Sequence, residues 1–224
     1  MKLLKWGGLA ALTEATTYLV GFALFFGVLN TSQLSSADER LAYLLQHQDS
    51  YFLGYLVIGV LFSFALIALV QALYQRMREA APQVMQYSAT VGYIWAGFVL
   101  ASSFIFLTSL TTLTNMHPAS PENALLLHQT LAVVISALGG GIELIGAVWV
   151  LIISVVGLRS GIYSRWLHLW GLVVALAGIL TLFAGLEALR SVSFFELTTA
   201  LFGLGQILWF IGLGIAMLRD PQED

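Results

Sequence analysis

Glu14 and Glu143 each stand inside an apolar run long enough to cross a bilayer, and neither run contains a Lys or Arg. An ionised carboxylate in hydrocarbon is costly, so such groups face a protein interior or a wet cavity, where they carry protons, bind cations or join helices. Helical spacing gathers Gly7, Ala10, Ala11, Thr17, Tyr18 and Gly21 around Glu14. Around Glu143 it gathers Ser136, Gly139, Gly140, Gly146, Ala147 and Ser154. Small residues let helix backbones approach closely in membranes, so both carboxyls are expected to project into protein. From the rise per residue, Glu14 falls ~5 Å to the inner side of mid-membrane and Glu143 ~6 Å to the outer side. Gln206 lies at comparable depth. Glu14, Glu143 and Gln206, with Thr17 and Tyr18, are therefore the candidate ligand- or proton-binding residues. Gly139-Gly140-Gly141 adjoins Glu143 and marks a weak point in its helix. Transporters bind substrate where helices are interrupted near the midplane. A glycine-rich packing face explains the triplet equally well, and a proton shared between packed helices would explain the carboxyls.

Histidines offer a second chemistry. His47, His117 and His128 fall on the outer side, with Asp49, Glu122, Glu187 and Glu196 nearby in topology. Three imidazoles and a carboxylate suit zinc or another divalent ion, although no H-x-x-x-H or H-E-x-x-H spacing occurs. His168, between Trp166 and Trp170, reads as part of an interfacial anchor. Thr108, Ser109, Thr111, Thr112 and Thr114 load the outer end of one span with hydroxyls, which either line a vestibule or bond back to helix carbonyls; the second account is the simpler. No phosphate-binding glycine loop and no G-x-S-x-G elbow is present, and no cofactor is specified.

The elements that must position these groups follow from composition. Of 224 residues, 59% are hydrophobic and only 9% charged, against about 25% charged in a soluble domain. The lipid bilayer is therefore the solvent. A net charge of −3 and the lack of a basic cluster argue against nucleic acid, and the absence of cysteine excludes disulfides and thiolate sites. Six apolar runs, at about 6–29, 51–74, 88–113, 125–158, 166–184 and 197–218, meet the ~20-residue requirement for a spanning helix. The alternating ~10-residue strands of a β-barrel are missing. The expected fold is all-α: one transmembrane domain of six spans over residues 1–224. The first run is longer than the ~7–15 apolar residues of a cleavable signal and contains Glu14, so it reads as a retained helix.

Nine basic residues orient the bundle. Lys2, Lys5, Arg76, Arg78, Arg159, Arg165 and Arg219 share one side, and Arg40 and Arg190 the other. The positive-inside rule then makes both termini cytoplasmic in an inner membrane. Ser36-Ala-Asp-Glu39 is a capping-box start, and it predicts an amphipathic helix at about 36–47 on the outer interface. Ser120 and Pro121 open another helix. From there to Leu158 the chain would extend ~57 Å if helical, so span 4 must protrude, kink or break.

Spans 1 and 5 share a pattern aligned at Trp6 and Trp170, and spans 4 and 6 each place a Trp before a terminal Arg (Trp149 and Arg159, Trp209 and Arg219). The segment Gly157-Leu-Arg-Ser-Gly-Ile-Tyr-Ser-Arg-Trp-Leu-His-Leu-Trp-Gly171 carries Arg165-Trp166-Leu167 and then Leu169-Trp170-Gly171 after a short basic turn. In this it resembles a group of small bacterial six-helix membrane proteins of unknown function. The resemblance covers most of the chain through span count and order, and implies no site residues.

The leading functional reading is binding or transport of a small ligand, cation or proton through an intramembrane cavity at Glu14 and Glu143, with a homodimer compatible with the glycine-rich faces. The alternatives are a non-catalytic sensor or accessory subunit, and a metalloenzyme using the outer histidines. Replacing Glu14 and Glu143 with Gln separates the roles. The cavity reading expects ligand or proton flux to be lost with thermal stability unchanged; loss of folding would mark the carboxyls as inter-helix adhesion.

Overall fold

The computed structural model describes residues 3–139, 144–189, 192 and 194–220, and every regular element among them is helical. Six stretches are long and apolar enough to cross a membrane, which makes the chain a multi-pass integral membrane protein. They are α1 (Leu3–Val28), α3 (Gln48–Met77), α4 (Pro82–Met116), the stretch Pro121–Ser160, α7 (Arg165–Gly185) and α8 (Phe194–Leu218). Within the fourth, α5 is Pro121–Gly139 and α6 is Leu144–Ser160. Gly139 ends α5, while the rest of the expected weak point, Gly140 and Gly141, and the carboxyl of Glu143 fall outside the described residues. Between α1 and α3 lies the short α2 (Ala37–Gln46).

Local chemistry sets the helix ends. The Ser36 hydroxyl accepts the Glu39 amide at 3.1 Å, and Glu39 Oε2 accepts the amides of Ser36 (3.1 Å) and Ser35 (2.8 Å). These amide bonds, with the Ser35 hydroxyl, hold the Glu39 carboxyl below its ordinary value. Two π-helical turns interrupt the long spans. One closes α1 at Ala23–Val28, where the Leu29 amide reaches the Leu24 carbonyl at 2.6 Å. The other lies inside α3 at Leu56–Leu61. Such turns hold one extra residue and often lie at functional sites.

The chain divides into two compact units. Unit 1 comprises Met1–Thr16, Phe64–Ala96 and Ile142–Asp224. Its core is aromatic: Trp149 stands between Trp95 and Trp209, with ring centroids 5.9 and 5.8 Å away. The two tryptophans that match in spans 4 and 6 of the sequence thus meet edge to face. Glycines let the helices close around these rings. A Cβ on Gly146 would lie 2.8 Å from Trp95, and one on Gly214 would lie 2.9 Å from the Gly8 carbonyl. Arg76, in the last turn of α3, closes the unit by reaching Asp220 (Nε to Oδ2, 2.6 Å) while its guanidinium lies 5.7 Å from the Tyr163 ring centroid. The Asp220 side chain is only 2% exposed and that of Arg76 16%. Burial, then the Asp220 charge, push the Tyr163 phenol up.

Unit 2 comprises Thr17–Ser63 and Gly97–Gly141. Its apolar cluster joins Leu29, the α2 residues Leu41 and Leu44, Tyr51 on α3, Phe106, Leu110 and Leu113 on α4, and Ala124 on α5. The amphipathic face of α2 is therefore buried against protein.

Removing one partner of a largely buried ion pair leaves the other charge desolvated and uncompensated. Asp220→Ala is expected to lower the stability of the purified protein by about 1–3 kcal/mol, read as a fall in thermal denaturation temperature. Arg76→Met with Asp220→Leu should recover part of that loss.

Candidate functional site

A hollow of ≈460 Å³ lies within unit 2, built from one face of each of three helices. Helix α3 contributes Tyr55, Ile58 and Gly59; α4 contributes Val99, Ser102, Ser103, Phe106 and Ser109. Helix α5 contributes His128, Leu131, Ala132, Ile135, Ser136 and Gly139. On each helix these positions recur three or four residues apart, so each set is one stripe of its helix. The π-helical turn of α3 forms part of the wall. Its Gly59 lies so close to α4 that an added Cβ would collide with the Ser103 hydroxyl. The volume lies in the ~300–1,000 Å³ range of small-molecule sites.

Among the described residues the lining sets four serines, one histidine and one tyrosine into a mainly apolar wall, and holds no Asp, Glu, Lys or Arg. Three of the serines use their hydroxyl protons on their own helix. Ser102 and Ser103 both donate to the Val99 carbonyl, at 2.9 and 2.7 Å, and Ser109 donates to the Phe106 carbonyl at 2.7 Å. A hydroxyl has one proton and two lone pairs, so these oxygens offer acceptors to the hollow. Donors can come from Ser136, His128 and Tyr55. The Tyr55 ring itself is fixed by stacking on Phe106, centroid to centroid 3.6 Å.

A second, more open groove of ≈420 Å³ adjoins this hollow. Phe104, Ile105, Thr108, Ser109 and Thr112 of α4 line it with Leu127 and Leu131 of α5. The hydroxyl-rich end of α4 thus does both things expected of it as alternatives. Thr112 and Thr114 bond back to the Thr108 and Leu110 carbonyls at 3.3 and 2.8 Å, while Thr108, Ser109 and Thr112 line the groove.

The residues singled out in the sequence are dispersed. Glu14 and Gln206 are both fully buried in unit 1. α1 and α8 approach closely at Gly8 and Gly214. Counted from there along an antiparallel pair, the two come level to within ~3 Å at 1.5 Å per residue. Thr17 and Tyr18 belong to unit 2, where Tyr18 meets Phe62 edge to face at 5.8 Å. Among the described residues, no three His, Asp or Glu side chains come close enough to hold a metal ion. His47 bonds the Tyr43 carbonyl at 2.9 Å and stacks on its ring. The His117 amide closes the last turn of α4 on the Leu113 carbonyl. His128 alone of the three lines the hollow. The serine pair Ser102-Ser103 was missed in the sequence. Its signal was the spacing Ser102, Ser109 and His128, Ser136 on two neighbouring spans, hidden because serine is also an ordinary packing residue.

His168 is not an interfacial anchor. It is buried, and its Nε2–H donates to the Ile162 carbonyl at 2.6 Å across the turn between α6 and α7. The rest of that turn is equally structural. Gly161 and Tyr163 take left-handed φ values of 69° and 66°, Ser164 caps α7 by accepting the Trp166 amide, and Trp170 Nε1 donates to the Gly205 carbonyl at 3.0 Å. Gly157 leaves room for the His168 ring, and Gly171 for Ser154 and Trp209. The segment Gly157–Gly171 is thus the brace of a helical hairpin within a six-span chain, and a family model covers nearly all of that chain, residues 8–214. The chain belongs to the family of the domain of unknown function DUF4386. No curated protein and no solved structure matches it. For this DUF4386 member, the segment that carried the resemblance maintains the fold, and the hollow in unit 2 is the candidate site.

The brace makes a distinct prediction. Gly157→Ala drives a methyl into the His168 ring and is expected to cost about 1–3 kcal/mol. In a double-mutant cycle by thermal denaturation, His168→Ala should remove most of the added cost. Additive losses would show that the two residues do not meet.

Proposed function

We propose that this protein is a membrane-embedded binding protein whose unit-2 hollow takes a small, uncharged ligand bearing hydroxyl or amide hydrogens. One observation carries this reading: ≈460 Å³ of space that presents serine oxygens and an imidazole, with no charged side chain among the described lining residues. A charged ligand would be desolvated there without a counter-charge, at a cost of several kcal/mol. A neutral donor, by contrast, meets the acceptor lone pairs of Ser102, Ser103 and Ser109. His128 accepts or donates according to its tautomer, which suits a ligand group that does the reverse. Such binding fits a sensor or a transporter alike. The distribution of Lys and Arg supports cytoplasmic termini in an inner membrane, which would open this end of the bundle to the opposite side.

A second reading keeps the carboxyls. Full burial of both Glu14 and Gln206, at levels that agree along α1 and α8, favours a proton- or cation-handling group there. Inter-helix adhesion accounts for the same burial.

The test of the first reading uses the whole protein in phosphatidylcholine nanodiscs, with propane-1,2-diol as the probe. Wild type should be stabilised by the diol in thermal denaturation, with a midpoint that rises with its concentration. Ala132→Phe, which fills the hollow from α5, and His128→Leu should each abolish the response while leaving the diol-free midpoint within ~1 kcal/mol of wild type. An equal rise in wild type and both variants would overturn the reading.

A further inference from the structure

We infer that the ligand of the unit-2 hollow is a neutral single-chain amphiphile drawn from the bilayer, its hydroxyl-bearing head among Ser102, Ser103 and His128 and its hydrocarbon chain in the adjoining groove. The inference rests on the binding role proposed for the hollow and adds the class of ligand and its route.

Four observations combine. The hollow and the groove share two wall residues, Ser109 and Leu131, so a molecule occupying both needs to pass only that boundary. The two spaces differ in chemistry. The hollow has its serines and imidazole, whereas the groove walls are mainly Phe104, Ile105, Leu127 and Leu131, with threonine hydroxyls at its edge. The groove is the more open of the two, and it lies along a membrane-spanning helix, with Phe104 half exposed. A side chain exposed at that position in the span meets acyl chains, so the groove opens to lipid and a water-soluble ligand has no advantage there. Finally, among the described residues neither lining holds an Asp, Glu, Lys or Arg, which disfavours a phosphate, carboxylate or quaternary amine head.

The energetics assign different jobs to the two ends. A hydrocarbon chain gains little by leaving lipid for an apolar groove, since both environments exclude water. Hydrogen bonds of the head in the hollow therefore supply the affinity, and they have to replace those the head makes to interfacial water. The groove, ≈420 Å³ and open to lipid, seats the hydrocarbon chain. A monoacylglycerol has the required parts, two head hydroxyls, no charge and one chain.

Photo-crosslinking on the whole protein in phosphatidylcholine nanodiscs tests this with two diazirine probes. One is a monoacylglycerol tagged at the chain end, the other a short diol tagged beside its hydroxyls. The chain-end probe is expected to label the groove segments 104–112 and 127–131, and unlabelled monoacylglycerol should compete for that labelling. Thr108→Trp, which fills the groove, should cut chain-end labelling about tenfold while the short diol still labels the hollow. Competed labelling of the hollow by the short diol, with chain-end label absent from the groove or spread evenly over lipid-facing helices, would overturn the amphiphile and leave the binding role standing. Absence of competed labelling by either probe would overturn both.

Discussion

Hydrocarbon offers a peptide group no water to bond, and this constraint governs every long element of the chain. Helices satisfy it internally, but the same medium removes the hydrophobic drive that would press helices together in water. Contact must come from close approach, and unit 1 achieves it where side chains are absent. Gly214 meets the backbone of Gly8, and Gly146 and Gly171 lie against the indoles of Trp95 and Trp209. Once the backbones are that close, Trp149 and Trp209 fill what remains and are fully buried. A small residue on one helix and a tryptophan on its neighbour are thus two halves of one packing solution.

Unit 2 meets the constraint differently, and the difference creates the site. The π-helical turn at Leu56–Leu61 brings Gly59 against Ser103. Serines 102, 103 and 109 settle their hydroxyl protons on carbonyls of α4. That back-bonding is a local necessity in lipid, and it leaves these three serines with only lone pairs to offer the hollow. Helix α5 completes the wall while packing lightly, with Ala124 its one buried residue among those described.

Much of the segment carrying the family resemblance has a structural explanation. Gly157, Gly161, Tyr163, Ser164 and His168 together make a sharp turn whose backbone strain is offset by the Ile162–His168 bond and by Arg76 above the Tyr163 ring. Its short, specific motif is demanding because a tight hairpin leaves few alternatives at each position. A hollow built of serine, alanine and isoleucine imposes no comparable pattern, which is why the most recognisable residues and the candidate site lie in different places.

Much was legible in the residues alone. Six spans follow from hydropathy and length, since the bilayer requires about 20 apolar residues per crossing and few other folds tolerate so many. The capping box at Ser36 and Glu39 and the helix start at Ser120-Pro121 were also readable, because capping is a contact between near neighbours in sequence. Only the tertiary structure decided which polar groups share a space. His128 joins Ser102 and Ser103 while His47 and His117 stay apart, and Glu14 comes level with Gln206 through the packing of α1 on α8. Helical periodicity tells which residues share a face of one helix. Which faces then meet depends on rotation and tilt, and these are settled by whole-helix packing between segments distant in sequence.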